Sequence, residues 1–188
     1  MAERCWKNID GLMLDYHDNE WGNPVHDDRK WFEFLILDGF QAGLSWKTIL
    51  NKRKEFNKAF DQFDFEKIAK YDEKKLEELK NNSGIVRNRL KISAAVTNAK
   101  EFIKLRKKYG SFDKYIWQFV DNKPIQNNWK SWDEVPSKTE ISEKISKDLK
   151  KKGFKFVGPT IVYAFMQAAG MVNDHLVHCY RHKEIKNK

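Results

Sequence analysis

Apolar positions along this chain recur mostly at helical spacing, and alternating strand-like stretches are scarce. Asp27-Asp28 opens a run over Arg29–Asp38 whose acidic start suits a helix N-terminus, with Gly39 as its expected end. Ser45 can cap a second helix through about Asn57, and shorter helices follow from Asp64 and from Asp72. A long helix is predicted from about Val86 to Lys108, stopped by Gly110, and Ser111 can cap the next through Val120. Asp121 to Pro136 is turn-rich, with Trp129 and Trp132 expected to pin the connection to the core. Ser137-Lys138-Thr139-Glu140 reads as a capping box, and Ile141, Ile145 and Leu149 give the following helix one apolar face. The pattern predicts an all-α fold, and without repeats or Gly/Ser linkers residues 1–188 read as one compact domain.

Leu149 to Gly170 holds the most informative local signal. An amphipathic helix stops at Gly153, a turn runs Phe154 to Gly158, and Pro159 starts a new helix at its favoured first position. Gly158 lets the backbone pass close to a ligand, and the new helix offers unpaired N–H groups flanked by Lys151, Lys152 and Lys155. Such a hairpin, spanning about 138–170, can grip one phosphodiester without reading sequence. The same residues fit an ordinary αα-hairpin with a solvated lysine face.

Composition narrows the function classes. An aromatic share of 14% argues against disorder, and the longest apolar stretch, Ile161 to Val172, is broken by Gln167 and Gly170 and too short to span a bilayer. No charged segment followed by an apolar one opens the chain, so the expected address is cytoplasmic. The net charge of +9 favours a polyanionic partner such as nucleic acid, although a lysine-rich solvated surface gives the same number. Two cysteines, Cys5 and Cys179, exclude a disulfide framework and leave buried thiols, one bridge or shared metal ligation.

GFKFVGPT followed by AFMQAAGMVNDH resembles the hairpin segment of the helix-hairpin-helix DNA glycosylase superfamily. With CW near the start, LDYHDNEWG at 14–22, QAGLSW at 41–46 and GIVRNRLKI at 84–92, the chain is similar to the DNA-3-methyladenine glycosylase I family over nearly its whole length. The resemblance implies a helix-hairpin-helix glycosylase fold that flips N3-methylated adenine out of double-stranded DNA and hydrolyses its glycosidic bond. It further implies a base pocket of Trp6, Met13, Tyr16, Trp21, Asp38 and Trp46, with Asp38 and Tyr16 as the catalytic pair. A cationic base gains from aromatic faces beyond plain stacking, and an enclosed acid complements its charge. Trp31, Trp117, Trp129 and Trp132 are expected in the core instead. Two positions depart from the family pattern, Asp38 where Glu is usual and Met13 where Tyr is usual. One methylene less withdraws the carboxylate by roughly 1.5 Å.

The resemblance assigns Gln41, Gly43 and Leu44 the task of filling the gap left by the extruded nucleotide; read alone, they make an interhelix turn with Leu44 in the core. Lys155, Gly158 and Thr160 belong to the implied DNA contact of the hairpin, and Arg87, Asn88 and Lys91 are further phosphate candidates or an exposed helix face. Thr160 stands where strand-cleaving relatives carry a lysine nucleophile and Asn173 where many relatives carry Asp, which implies glycosylase activity without lyase activity. His175 and Cys179 form an i, i+4 pair, and two thiolates with two imidazoles suit tetrahedral zinc. The family implies that ligand set as Cys5, His17, His175 and Cys179, a structural Zn2+ joining the termini. A monomer with no obligate protein partner is the simplest assembly. Two other readings fit the residues: a lesion- or DNA-binding homologue with a weakened pocket and altered base preference, and a zinc-stapled structural domain with an anion-binding surface.

Overall fold

The computed structural model describes residues 3–186. Ten α-helices occur among them: α1 Gly11–Asn19, α2 Asp28–Gln41, α3 Trp46–Ala59, α4 Phe65–Ile68, α5 Glu73–Asn81, α6 Arg89–Tyr109, α7 Phe112–Trp117, α8 Glu140–Lys151, α9 Pro159–Ala168 and α10 Tyr180–Lys186. The fold is helical, as the periodicity predicts, with short 3-10 turns between helices. Two two-residue strands that the periodicity did not announce, β1 Ile125–Gln126 and β2 Val172–Asn173, pair in parallel.

α2 is the axis of the molecule. Trp31, Phe32 and every residue from Phe34 to Phe40 are buried, so it is enclosed on all sides and packs on α3, α6, α7 and α9. A helix buried all round has no solvent face to pattern, and its core partners are aromatic: Trp31 meets Phe165 at 5.3 Å and Phe32 meets Phe102 at 5.1 Å between ring centres. Gly39 does not end it. The helix runs on to Gln41, because a helical glycine costs only about 1 kcal/mol and the packing around it outweighs that; Gly39 faces Phe156 of the hairpin turn.

The local caps act where the sequence places them at Ser45, Asp64, Asp72 and Ser111, each accepting a hydrogen bond from a first-turn amide. Two starts move. α6 begins at Arg89, capped by the Asn88 side chain, and the capping box of α8 pairs Thr139 with Ser142 in place of Ser137 with Glu140. Thr139 holds the extended backbone of a cap residue, so its hydroxyl meets the Ser142 amide at 3.2 Å while the Ser142 hydroxyl receives the Thr139 amide at 2.9 Å.

The hairpin between α8 and α9 is fixed from two sides. Gly153 reverses the chain at φ +97°, and Ser146 donates its hydroxyl to Val157 O at 2.6 Å. From α6, Asn98 bonds both the N–H and the C=O of Lys155, at 2.8 and 3.0 Å. At the other end of α9, Gly170 adopts φ +70°, and a Cβ there would stand 2.3 Å from the backbone carbon of Asn23. That contact lets Gly22 N and Val25 N bond the carbonyls of Gln167 and Ala169 at 3.1 Å each. Gly170→Ala is expected to destabilise by about 3 kcal/mol, a fall of roughly 6–12 °C in melting temperature; a calorimetric scan checks it.

Candidate active site

Three segments wall a cavity of about 240 Å³: the N-terminal residues with α1, the end of α2 with the start of α3, and the last turns of α9. All six residues expected in the base pocket line it, Trp6, Met13, Tyr16, Trp21, Asp38 and Trp46. The rings lie against one another, Trp6 on Trp21 at 4.9 Å and Tyr16 on Trp46 at 5.2 Å. Gln41, Trp132, Ala164, Gln167 and Ala168 complete the wall. Trp132 corrects the expectation of a core residue: it is 39% exposed, and its indole N–H donates to Cys5 O at 2.8 Å, which stands the ring beside Trp21. No periodicity could reveal this, since a loop far along the chain is docked onto the N-terminal segment.

The polar atoms of the cavity are few and unspent. Asp38 is 3% exposed, yet its Oδ2 has no hydrogen-bond partner, and neither does the buried Nε1 of Trp46. Burial pushes the Asp38 carboxyl well above the usual carboxylate range, and the Arg53 charge opposes this only in part. Arg53 is itself engaged, donating to Glu20 and Glu33 at 2.6–2.7 Å. Burial, then the nearby Asp38, raises the Tyr16 phenol, so it stays a neutral hydroxyl. An unpaired buried donor or acceptor costs about 1–3 kcal/mol. Two of them in one ring-lined hollow mark a place that awaits a polar, flat ligand.

A second hollow of about 200 Å³ adjoins the first and shares Asp38, Gln41 and Ala164 with it. Gln41, Gly43, Leu44 and Thr160 line it, so the α2–α3 loop faces the N-terminus of α9. Leu44 is 42% exposed, which removes the reading that buries it in the core. Lys91 is not an exposed phosphate contact: it is buried, and its ammonium donates to Phe40 O and Ala42 O at 2.8 and 2.7 Å, clamping the loop from α6. Asn88 caps α6, while Arg87 stays exposed. At the hairpin, Lys155 is exposed and Gly158 has open space where a Cβ would stand, with no side chain capping α9. Lys152 turns away to Asp148 at 2.6 Å, leaving Lys151 and Lys155 as the flanking cations.

Behind the cavity, Cys5, His17, His175 and Cys179 are all buried, with their candidate ligand atoms within 4.8 Å of one another. The four S···N separations are 3.4, 3.5, 3.6 and 3.7 Å. Zinc bonds of about 2.3 Å to sulfur and about 2.0–2.1 Å to nitrogen, at tetrahedral angles, set such an edge near 3.6 Å. The outer nitrogens are also placed: His17 Nδ1 meets Asp18 Oδ1 at 2.8 Å, and His175 Nε2 meets Trp21 O at 3.1 Å. Burial lowers the His175 pKa, keeping the ring neutral as a ligand must be. The cluster could hold a metal ion. Its members adjoin the cavity wall in sequence, Cys5 beside Trp6 and His17 beside Tyr16.

A family model described as methyladenine glycosylase matches residues 6–182. The chain belongs to the methyladenine glycosylase family. It is 47% identical over 180 residues to a DNA-3-methyladenine glycosylase of Haemophilus influenzae, covering 95% of this chain and 97% of the relative. It is 46% identical over 178 residues to DNA-3-methyladenine glycosylase 1 of Escherichia coli K12, covering 94% and 95%. A solved tyrosine-to-phenylalanine variant of a 3-methyladenine DNA glycosylase I, in complex with 3-methyladenine, superposes with a TM-score of 0.92 at 36% identity, covering 96% and 97%. No helix among the described residues is long and apolar enough to cross a membrane. Within this methyladenine glycosylase, sequence reasoning missed the placement of Trp132 and Lys91, set by contacts between distant segments, and missed Gln167, held by Asp174 seven residues further on.

Proposed function

We propose that the ring-lined cavity captures N3-methyladenine swung out of double-stranded DNA. The chain is a base-excision repair glycosylase, and the observation that carries the pocket assignment is the buried, unpaired Asp38 carboxyl in a cavity walled by indoles. Trp46 and Tyr16 stack on or contact the purine, Trp6, Trp21 and Met13 close the hollow, and Asp38 meets the amino edge. The arriving cation favours the ionised carboxyl, so Asp38 gives up its proton on capture. The alkylated base is already a good leaving group. Water adds its oxygen to C1′, the C1′–N9 bond breaks with its electron pair passing to the base, and one water proton goes to solvent. The protein contributes extrusion, enclosure and charge.

The exposed Leu44, with Gln41 and the turn at Gly43, fills the vacated stack, while the amides around Gly158 and Thr160 with Lys155 hold a phosphate. No lysine stands at the α9 N-terminus to attack the sugar, since Thr160 occupies that place; the reaction ends at an abasic site. Cys5, His17, His175 and Cys179 would hold a structural zinc, whose closed four-ligand set fastens both ends of one domain around the pocket. The chain works alone on the duplex.

Chromatography of the bases released from methylated duplex DNA tests this reading. Free 3-methyladenine with an intact, abasic strand is expected; no released base contradicts it. Lys91→Met, which removes the clamp on the α2–α3 loop, is expected to lower kcat about tenfold while leaving KM nearly unchanged, since the plug acts as the base leaves the stack. Single-turnover rates check this.

A further inference from the structure

Asp174 is 1% exposed, and its two carboxylate oxygens accept four hydrogen bonds. Asn127 Nδ2 and Trp129 Nε1 donate to Oδ1 at 2.7 and 2.8 Å; Tyr163 Oη and Gln167 Nε2 donate to Oδ2 at 2.6 and 2.8 Å. A carboxylate offers about four lone-pair positions, so every one is taken by a donor. An amide that faces such an acceptor has one orientation, NH2 inward and carbonyl away. Gln167 lines the base cavity together with Asp38 and Trp46, and its Oε1 is the polar atom left over, without a protein partner among the described residues.

We propose that Gln167, its amide oriented by Asp174, is a specificity-determining residue that presents a fixed hydrogen-bond acceptor to the amino edge of an extruded adenine. This rests on the base-pocket reading. Adenine carries an exocyclic amino group with two N–H donors where guanine carries the acceptor O6. Asp38 and Gln167 Oε1 each take one N–H of the amino group, and both repel O6. A freely turning amide would serve either base by exchanging its NH2 for its carbonyl. One bonded to a buried carboxylate cannot turn without setting two acceptors against each other. Asp174 is thus a positioning residue, and Gln167 the group that touches the base.

The test uses the full chain on methylated duplex DNA carrying 3-methyladenine and methylguanines, with both released bases quantified over long incubations. Gln167→Met keeps the shape and removes the acceptor. Its catalytic efficiency in releasing 3-methyladenine is expected to fall ~10- to 100-fold without a fall in methylguanine release, so the adenine-to-guanine ratio drops. Asp174→Asn frees the amide to turn and lowers the same ratio, and adding it to Gln167→Met moves the ratio no further. Gln167→Met leaves the other three donors to Asp174 in place, so it carries the test even where Asp174→Asn fails to fold. An unchanged ratio in Gln167→Met, or an equal fall for both bases, overturns the inference while the active wild type keeps the pocket reading intact. A wild type that releases no methylated base overturns that reading and the inference with it.

Discussion

Asp38→Asn is expected to cut the rate of 3-methyladenine release by about 10²-fold, the usual scale for removing one preorganised charged group from a reacting centre. The same substitution should make the ligand-free protein more stable. Asp38 is buried without a partner, and its carboxyl titrates well above the usual range because burial penalises the charge. The unfolded chain therefore releases this proton at lower pH than the folded one. Stability tied to Asp38 is fully present below the ordinary carboxylate range and is lost as pH rises through the raised folded value. An asparagine has no proton to lose, so the variant should show a flatter pH profile of melting and a midpoint near neutrality higher by about 2–4 °C, equivalent to about 1 kcal/mol. Single-turnover assays and melting curves from acid to neutral pH check the two halves. A stabilised but inactive variant is the signature of a group kept for chemistry at the expense of the fold.

Removing the zinc proposed for the Cys5, His17, His175 and Cys179 cluster is expected to have the largest effect on stability. The cluster joins the N-terminal segment to the α10 end, and Glu3 O receives Tyr180 N at 3.0 Å beside it. A structural zinc site binds with roughly 10–16 kcal/mol of apparent free energy where folding depends wholly on the metal. Here a large aromatic core around α2 also stabilises the fold, so only part of that energy is expected to be at stake. Cys179→Ser should reduce bound zinc from about one per chain to a trace and lower the melting temperature by more than about 10 °C. Because Cys5 precedes Trp6 and His17 follows Tyr16, base release should fall with it, while the α2–α9 core persists at lower temperature. Elemental analysis with paired thermal scans decides this; full metal retention would remove Cys179 from the ligand set.

The parts of this molecule that were legible in the sequence are those decided within a few residues. Ser45, Asp64, Asp72 and Ser111 cap helices because their side chains reach amides two or three positions away. The hairpin was readable from Gly153 and Pro159 for the same reason. The aromatic set and the cluster of Cys5, His17, His175 and Cys179 became visible through family resemblance, since Cys5 and Cys179 lie nearly a chain length apart and spacing alone left their pairing open. Gly39 misled because its cost is small against the packing around α2. What stayed hidden depends on tertiary contacts: Trp132 swung onto the N-terminal segment, Lys91 buried beneath the α2–α3 loop, and Gln167 turned by Asp174 past the end of its helix. The first two are polar contacts between segments far apart in sequence and the third spans seven residues across a helix end, and neither periodicity nor local capping chemistry leaves a trace of them.

Titration of the full chain with free 3-methyladenine, followed by tryptophan fluorescence, reads the pocket most directly, because Trp6, Trp21, Trp46 and Trp132 all line it. Saturable quenching at one site per chain, much weaker with unmethylated adenine and abolished in Trp46→Leu, is the outcome that a cavity shaped for the methylated base requires. Unchanged emission at saturating base, from protein that still binds DNA, would show that this cavity is not where the base goes.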